Sequence, residues 1–483
     1  MQALPGCQGM MQPFLDFMGR WGLTAHGLVT LTGLMVYVIA SHTRHQRRHP
    51  SAAIAWVVSL ALMPYLALPL YLLFGSRKVI RAPALRALPA VLAESQDPHT
   101  PASRFEQLAS AMGLAPAAVY RELAIHQDGH ESLQALHRIA RSATRTLDIC
   151  TFLLGRDAVG QDITALLMRK AREGVQVRLM IDGIGLYMGG HPGLKPLSMA
   201  GVQVALFVSP FRSPLPGRTN LRNHRKMVIA DGQRMWSGGR NLAAEYFTGD
   251  TASRPPKKPW TDLSFDFCGD LAGQAQQRFD QDWEFATQAR QSVAQRFPPA
   301  VPRSGACRAQ LIASGPDQAE DTLYSLLIAS FFTAHTRILI VTPYFVPDAT
   351  LLMALTLAAR RGVAVDLVLP RRSNHMLADM ARPAALREMS AAGAHIWLAS
   401  SMVHAKAVVV DSDLALSGSA NLDERSLFLN YELVVAFFEP ADVHRFAQWI
   451  GHQRAAASPY RAHAPSAMRE FSEGLIRWLA FQL

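Results

Sequence analysis

One string of residues occurs twice in this chain, and it constrains the fold more than any other feature. The first copy, HRKMVIADGQRMWSGGRN, contains His224, Lys226, Asp231 and Asn241, and the second, HAKAVVVDSDLALSGSAN, contains His404, Lys406, Asp411 and Asn421. Both fit H-x-K-x4-D with an Asn 17 residues after the His, and the two histidines are 180 residues apart. This spacing predicts a duplicated domain.

The residues ahead of each motif repeat as well. Residues 145–182 and 336–370 each read as a strand, an amphipathic helix, a glycine turn and a second strand, with Gly174 and Gly362 at the turns. A further apolar run led by glycine follows in both places, from Gly201 and from Gly393. Alternating strands and helices predict an α/β fold with a largely parallel or mixed sheet.

The first two residues of the motif point to one face of a strand. His224 and Lys226 alternate with their neighbours at a period of two residues, which places both side chains on the same side. A lone His on an apolar strand is most often a buried structural residue. That interpretation does not explain why two of only seven lysines follow a His by two residues, each time with the same Asp, Gly and Asn.

These groups suit phosphodiester transfer. Two lysines and two asparagine amides can hold the nonbridging oxygens of a phosphate as negative charge develops on them. One imidazole can attack phosphorus, and the other can protonate the leaving alkoxide. The lysines supply the positive charge, so no metal or other cofactor is expected. Zinc ligation by the two histidines is disfavoured because no carboxylate accompanies each His at ligand spacing.

An attacking imidazole needs an acceptor at its other nitrogen. Asp262, 38 residues after His224, and Glu432, 28 residues after His404, are the candidates, and a solvated surface carboxylate is the alternative for each. The motif aspartates Asp231 and Asp411 follow their strands at a turn, which favours a structural anchor over contact with substrate.

Two N-terminal stretches, residues 21–40 and 52–74, contain no acidic or basic side chain except His26. Their 20 and 23 residues would span about 30 Å and 35 Å as helices, enough to cross a bilayer. Two transmembrane helices are therefore predicted, with Pro64 and Pro69 kinking the second; a buried soluble hairpin is the alternative. The balance of flanking arginines tips the large domain towards the cytoplasm. Residues from 82 to about 100 have the composition of a linker.

The net charge limits the kinds of partner, and the cysteine positions limit the kinds of structural site. A net charge of +11 favours an anionic partner, which could be nucleic acid, anionic lipid or a phosphorylated substrate. The four cysteines, at positions 7, 150, 268 and 307, lie far apart, which argues against a disulfide framework or a zinc site.

The duplicated motif resembles the phospholipase D superfamily, and the whole chain is similar to bacterial cardiolipin synthases of the membrane-anchored type. The strings that carry the resemblance are RNHRKMVIADG, SGGRNLAAEYF, TPYFVPD, MVHAKAVVVD and GSANLDERSLFLNYEL. It implies two tandem α-β-α sandwich domains related by a pseudo-two-fold axis and preceded by two transmembrane helices. The domains are then a membrane hairpin at 1–81, a linker at 82–104, and phospholipase D-like domains at 105–297 and 298–483.

The resemblance also implies an activity and a site. A phosphatidyl group passes from one phosphatidylglycerol to another through a phosphohistidine, and glycerol is released. The implied catalytic residues are His224, Lys226, Asp231, His404, Lys406 and Asp411, with His224 as the nucleophile. Asn241, Asn421, Ser419 and Gly239 are expected to bind phosphate, while Asp262 and Glu432 orient the histidines.

Partners and alternatives follow from the same resemblance. The expected partners are phosphatidylglycerol, other anionic phospholipids and the bacterial inner membrane, with the catalytic part in the cytoplasm. The two apolar spans argue against a nucleic-acid substrate. Phospholipid hydrolysis and the use of phosphatidylethanolamine as co-substrate stay open, as does an inactive lipid-binding scaffold, although both motifs are intact. TFLLGRDAVG and YMGGHPGLKPLSMAG depart from the family pattern without touching motif residues.

Overall fold

The computed structural model describes residues 24–40, 50–75, 100–208, 220–249, 256–288, 307–318 and 321–466, together with 468 and 473. The chain divides into two compact units. One comprises Met1–Val79 with Ser213–Asn220, and the other comprises Ile80–Arg212 with Leu221–Leu483.

The described residues of the first unit form three helices, α1 (24–40), α2 (Pro50–Leu62) and α3 (Pro64–Phe74). The predicted second span is broken at Met63, where Pro64 starts a new helix, while Pro69 stays inside α3. In this unit Tyr37, Leu60, Ala67 and Tyr71 form a buried apolar cluster. In the described part of the chain, no helix combines the length and the apolar character needed to cross a membrane, so the two predicted spans are not confirmed.

The second unit opens with α4 (Pro101–Ala111) and β1 (Ala118–Val119), and the first repeat follows. Its elements are β2 (Arg121–His126), α5 (Gly129–Ser142), β3 (Thr146–Thr151), α6 (Ala158–Arg172), β4 (Gln176–Asp182), α7 (Gly183–Met188), α8 (Lys195–Met199), β5 (Gln203–Phe207), β6 (Met227–Ala230), β7 (Arg234–Gly238), β8 (Ser264–Cys268) and α9 (Asp270–Thr287). Among the described residues, seven strands form one sheet in the order β2-β8-β7-β6-β3-β4-β5.

The second repeat has the same plan. Its elements are β9 (Arg308–Ser314), α10 (Thr322–Thr333), β10 (Arg337–Val341), β11 (Phe345–Val346), α11 (Ala349–Arg360), β12 (Ala364–Pro370), α12 (Met376–Ala381), α13 (Pro383–Ala391), β13 (His395–Ala399), β14 (Ala407–Val410), β15 (Leu414–Gly418), β16 (Leu422–Asp423), α14 (Glu424–Phe428), β17 (Glu432–Phe437), α15 (Pro440–Ala455) and β18 (Ser458–Pro459). The described strands of its main sheet run β1-β9-β17-β15-β14-β10-β12-β13-β18, and β11 pairs separately with β16.

The repeated register confirms the mixed α/β duplication that the sequence predicts. β3 pairs in parallel with β4, and β10 pairs in parallel with β12. The motif strands β6 and β14 run antiparallel to β3 and β10. Gly174 and Gly362, ahead of β4 and β12, have φ of 89° and 92°, a left-handed conformation that glycine adopts without steric cost. Each sheet packs its apolar side chains into its own core.

One segment lies outside the order of the repeats. Helix α4 precedes the first repeat, yet its Ala102, Phe105 and Ala109 belong to the core of the second repeat. β1 likewise pairs with β9. Residues 82–99 of the predicted linker lie outside the described residues, and residues 101–104 begin α4. The domain boundaries at 105–297 and 298–483 stay predictions.

Candidate active site

Each motif histidine lies just ahead of its strand, on a segment that pairs with the other repeat. The backbone N–H of His224 donates to the Tyr431 carbonyl at 2.9 Å, and the Tyr431 N–H donates to the Arg222 carbonyl at 2.8 Å. In the second repeat, the N–H of His404 donates to the Thr261 carbonyl at 2.7 Å, and the N–H of Thr261 donates to the Met402 carbonyl at 2.9 Å. The two repeats are therefore joined by a symmetric exchange of backbone hydrogen bonds at the site.

Because of this exchange, the carboxylate of each repeat lies beside the motif histidine of the other repeat. Asp262, from the first repeat, has its Oδ2 2.7 Å from Nδ1 of His404. Glu432, from the second repeat, has its Oε1 3.4 Å from Nδ1 of His224. Both carboxylates are fully buried. Each repeat thus supplies the acidic partner of the other repeat's histidine, leaving each Nε2 as the ring atom not facing a carboxylate.

The two lysines lie against the histidines that precede them. Nζ of Lys226 donates to the carbonyl of His224 at 2.6 Å. Nζ of Lys406 lies 2.9 Å and 3.0 Å from the two ring nitrogens of His404 and also contacts its carbonyl oxygen. Burial lowers the pKa of both lysines, and the pKa of Lys406 falls to about 7, with repulsion from Lys226 adding to the effect.

The pKa values of the two histidines and of the two carboxylates are all lowered at this site. Burial lowers the pKa of His224 to about 4, and burial followed by the charge of Lys406 lowers that of His404 to about 4. Burial alone would raise the pKa of Asp262 and of Glu432, but the facing histidine and lysine outweigh it and hold both below their usual range. At neutral pH the site therefore has ionised carboxylates and neutral imidazoles, which are nucleophilic.

The motif asparagines are buried beside hydroxyl groups. Nδ2 of Asn241 donates to the Tyr246 hydroxyl at 2.8 Å, and Nδ2 of Asn421 donates to the Ser426 hydroxyl at 3.1 Å. Within the described residues, neither amide oxygen has a hydrogen-bond partner. Turning each amide by 180° would let its oxygen accept from the hydroxyl and present its NH₂ as a donor. Both asparagines therefore have the chemistry to bind an anionic oxygen.

Ser419 and Gly239 occupy equivalent positions and serve the carboxylates. The Ser419 hydroxyl donates to Oε2 of Glu432. A Cβ at Gly239 would lie 2.2 Å from Oδ1 of Asp262, so only glycine leaves room for that carboxylate. The backbone N–H of Gly239 already donates to the Leu263 carbonyl at 3.0 Å. The contacts that the structure shows are from Ser419 to Glu432 and from Gly239 to the neighbouring strand, and phosphate binding by either residue stays a prediction.

The structure does not bring Asp231 and Asp411 to the histidines. Asp231 accepts hydrogen bonds from the backbone of residues 144–146 at 2.7–2.9 Å, and Asp411 accepts them from residues 335–337 at 2.8–3.0 Å. Each lies at the far end of its motif strand, about 16 Å along the chain from the lysine. The resemblance implies a catalytic role for both aspartates; the contacts that the structure shows are those of turn anchors, and the catalytic role stays a prediction.

Several aromatic and polar residues at the histidines were not predicted. The Phe152 ring lies 4.5 Å from the His224 ring, and Nδ2 of Asn430 is 3.3 Å from its Nδ1. The rings of Tyr246 and Trp260 lie 5.1 Å and 5.5 Å from that of His404. Asn430 and Trp260 both stand two residues ahead of an orienting carboxylate, and this shared offset is the signal that could have identified them.

The described residues contain no group of three or more His, Cys, Asp or Glu side chains placed to hold a metal ion. Among them, Cys150, Cys268 and Cys307 are free thiols, and Cys7 lies outside the described residues. Lys226 and Lys406 bring positive charge to the two histidines.

Comparison with known proteins gives a consistent result. A family model described as "Cardiolipin synthase, PLD-like domain" matches residues 136–283 and 327–454, together more than half of the chain. A second, "Phospholipase D-nuclease N-terminal", matches residues 33–76. The chain is 33% identical over 423 residues to cardiolipin synthase A of Pseudomonas aeruginosa (strain LESB58), covering 84% of this chain and 85% of the relative.

Two further comparisons extend this result. Cardiolipin synthase of Geobacillus kaustophilus (strain HTA426) is 29% identical over 485 residues, covering 95% of this chain and 96% of the relative. Among solved structures, phosphatidylserine synthase of Haemophilus influenzae Rd KW20 matches with a TM-score of 0.58 at 13% identity, covering 78% of this chain and 97% of that one. At that identity, the structural match supports the two-domain fold alone.

Proposed function

The chain belongs to the PLD-like cardiolipin synthase family of phosphatidyltransferases, and we propose that it transfers the phosphatidyl group of one phosphatidylglycerol to a second, releasing glycerol. The observation that carries this proposal is the crossed pairing of Asp262 with His404 and of Glu432 with His224. A phosphodiester between the two histidines would meet two imidazoles, each with its Nδ1 beside a carboxylate. That arrangement suits one as nucleophile and the other as proton donor.

In the first half-reaction, Nε2 of one histidine attacks phosphorus and the bond from phosphorus to the glycerol oxygen breaks. The other histidine donates a proton to that oxygen, so glycerol leaves as the free alcohol. We assign the attack to His224, whose side chain is 24% exposed against 9% for that of His404. The product is a phosphatidyl group bound to His224.

In the second half-reaction, a hydroxyl of the acceptor phosphatidylglycerol gives its proton to His404, and its oxygen attacks phosphorus. The phosphorus–nitrogen bond breaks and His224 is released. The product carries two phosphatidyl groups on one glycerol, which is cardiolipin. Water in place of the acceptor lipid would give phosphatidic acid.

A bound phosphodiester would also change the protonation of His404 and of the two lysines. His404 must be protonated to act as an acid, whereas burial and Lys406 lower its pKa to about 4. A phosphodiester places negative charge beside His404 and the two lysines, and this raises the pKa of all three groups. Substrate binding would therefore be accompanied by proton uptake. Asn241 and Asn421 would complete the set of donors to the nonbridging oxygens.

We further propose that residues 1–81 anchor the protein in the bacterial inner membrane, with the catalytic unit in the cytoplasm. The helices of the first unit expose large apolar side chains, among them Leu28, Leu31, Met35, Val38, Ile54, Leu62 and Leu66. Such a surface needs a cover of lipid or protein. Retention of the full chain in the membrane pellet after alkaline carbonate washing would support the anchor, and its release would contradict it.

The experiment that tests the activity is product analysis on the full-length protein in detergent with phosphatidylglycerol labelled in its headgroup. His224→Ala and His404→Ala are compared with His130→Ala, a matched control on the exposed face of α5. We expect cardiolipin and glycerol in equal amounts from the wild type and the control, and neither product from the two site variants.

The other outcomes identify the alternatives. Phosphatidic acid as the sole lipid product would indicate a hydrolase. Cardiolipin that forms only with added phosphatidylethanolamine, with release of ethanolamine, would identify that lipid as co-substrate. Binding of phosphatidylglycerol vesicles without turnover in any lipid mixture would favour the inactive scaffold.

A further inference from the structure

The two repeats differ in charge at two equivalent positions around the site. Two residues ahead of the motif histidine, the first repeat has Arg222 and the second has Met402. Four residues after the motif asparagine, the first repeat has Glu245 and the second has Arg425. Each pair thus places an arginine in one repeat and a neutral or acidic residue in the other.

Backbone hydrogen bonds connect both arginines to the segment that contacts His224. The Arg425 carbonyl accepts from the N–H of Asn430 at 3.0 Å, and the Arg222 carbonyl accepts from the N–H of Tyr431 at 2.8 Å. Asn430 contacts His224, with its Nδ2 3.3 Å from Nδ1 of the imidazole. Arg222 and Arg425 are therefore tied to consecutive residues of the strand segment beside His224.

The side chains add charge on this side of the site. The Arg222 guanidinium is largely buried, and its Nη1 forms an ion pair with Oδ1 of Asp182 at 3.7 Å. Burial lowers the pKa of Arg425 and repulsion by Arg222 lowers it further, while the carboxylates of Asp423, Asp182 and Glu432 raise it. Arg425 in turn adds to the lowering of the His224 pKa that burial and Lys226 cause.

The His404 side has a different chemistry. The rings of Tyr246 and Trp260 lie beside this imidazole, and Met402 and Glu245 stand where the arginines would be. The reacting phosphate already has its own cations in Lys226 and Lys406. A second pair of cations on one side suits a second anion, which a donor lipid bound alone does not carry.

We propose that Arg222 and Arg425 form a subsite for the phosphate of the acceptor lipid, so that the site selects an alcohol bearing its own phosphodiester over water or a small alcohol. This inference rests on the proposed phosphatidyl transfer. In phosphatidylglycerol, a three-carbon glycerol joins the attacking hydroxyl to that phosphate, so both groups lie within one compact site. Guanidinium groups bind phosphate through paired, charge-assisted hydrogen bonds.

The test uses two acceptors with one donor. Full-length enzyme is given phosphatidylglycerol with labelled free glycerol, and incorporation of label into phosphatidylglycerol measures transfer to an acceptor without a phosphate. Cardiolipin formation in the same mixture measures transfer to the lipid acceptor. In Arg222→Met, which copies the second repeat, and in Arg425→Met, we expect cardiolipin formation to fall by about tenfold or more while glycerol exchange stays within about twofold of wild type.

Arg222→Lys keeps the charge and separates electrostatic from structural effects, and we expect it to retain more cardiolipin formation than Arg222→Met. An equal fall of both reactions in variants that melt at the wild-type temperature would overturn the subsite, as would no fall in either. A wild-type enzyme that forms neither exchanged phosphatidylglycerol nor cardiolipin would instead refute the phosphatidyl transfer itself.

Discussion

Arg225, between the motif histidine and lysine of the first repeat, is the centre of a buried network that joins the two repeats. Its side chain is fully buried, and Nη1 donates to both carboxylate oxygens of Asp282 at 2.6 Å. Its Nε donates to the Glu432 carbonyl at 3.0 Å, and its Nη2 donates to the Ser314 carbonyl at 3.1 Å. We predict that Arg225→Met is among the most destabilising single changes in the second unit.

The magnitude follows from what the change leaves behind. Breaking a buried ion pair costs about 3–5 kcal/mol, and the lower end applies because Arg278 remains paired with Asp282. The carbonyls of Glu432 and Ser314 each lose a buried donor, at about 1 kcal/mol apiece. The total is about 5 kcal/mol. As a control, Arg234→Met removes an exposed pair with Glu122 and should cost at most about 1 kcal/mol.

The assay is urea unfolding of the full-length protein in detergent, followed by tryptophan fluorescence, with wild type and both variants measured side by side. We expect the free energy of unfolding of Arg225→Met to fall several-fold more than that of Arg234→Met. Equal losses in the two variants would refute the reasoning, because they would mean that the buried network contributes no more than a surface pair.

Three further predictions concern the site. In the proposed mechanism protonated Lys406 holds the phosphate, and its pKa is about 7, so the fall of kcat/KM with rising pH should become steeper above about pH 7, by about a further tenfold per pH unit; the same steepening at the same pH in Lys406→Arg would contradict this origin. Asp262→Asn should lower kcat by about 10⁴-fold with little change in melting temperature, because the amide no longer stabilises charge on His404; near-normal turnover would exclude the orienting role. Asp231→Asn should cost about 1–2 kcal/mol of stability and leave kcat within about twofold at a temperature where it is folded, and a large loss of kcat there would restore a catalytic role.

The duplicated α/β architecture could be predicted from the sequence because its signals are local. A strand, a helix, a glycine turn and a second strand repeat ahead of each motif, and in the structure β3 pairs in parallel with β4 and β10 with β12, as strands joined through a helix do. The turn position of Asp231 also indicates its anchoring contacts. The sequence could not predict that Asp262 pairs with His404 and Glu432 with His224, because each contact joins residues more than 140 positions apart in the chain.

Other parts of the site depended on contacts that no spacing encodes. Ser419 and Gly239 stand at the same position in the two copies of the motif. Ser419 donates a hydrogen bond to the Glu432 carboxylate, whereas Gly239 leaves space for the Asp262 carboxylate. The sequence shows that these positions are small, but not which group fills the space beside them. The aromatic neighbours Phe152 and Trp260 reach the histidines from loops whose course depends on the tertiary fold.

The crossed carboxylates tie catalysis to the assembly of both repeats. His224 lies beside Glu432 because the residues just before β17 pair with the residues before β6. His404 lies beside Asp262 because the residues before β8 pair in the same way with those before β14. Neither repeat alone contains both a motif histidine and the carboxylate that faces its Nδ1. The same exchange brings Arg425 of the second repeat close to the histidine of the first, so the histidine pair and the proposed acceptor subsite depend on the same strand pairing. The site is therefore built from strand pairing between the repeats, and a change that loosens this pairing should impair both half-reactions together.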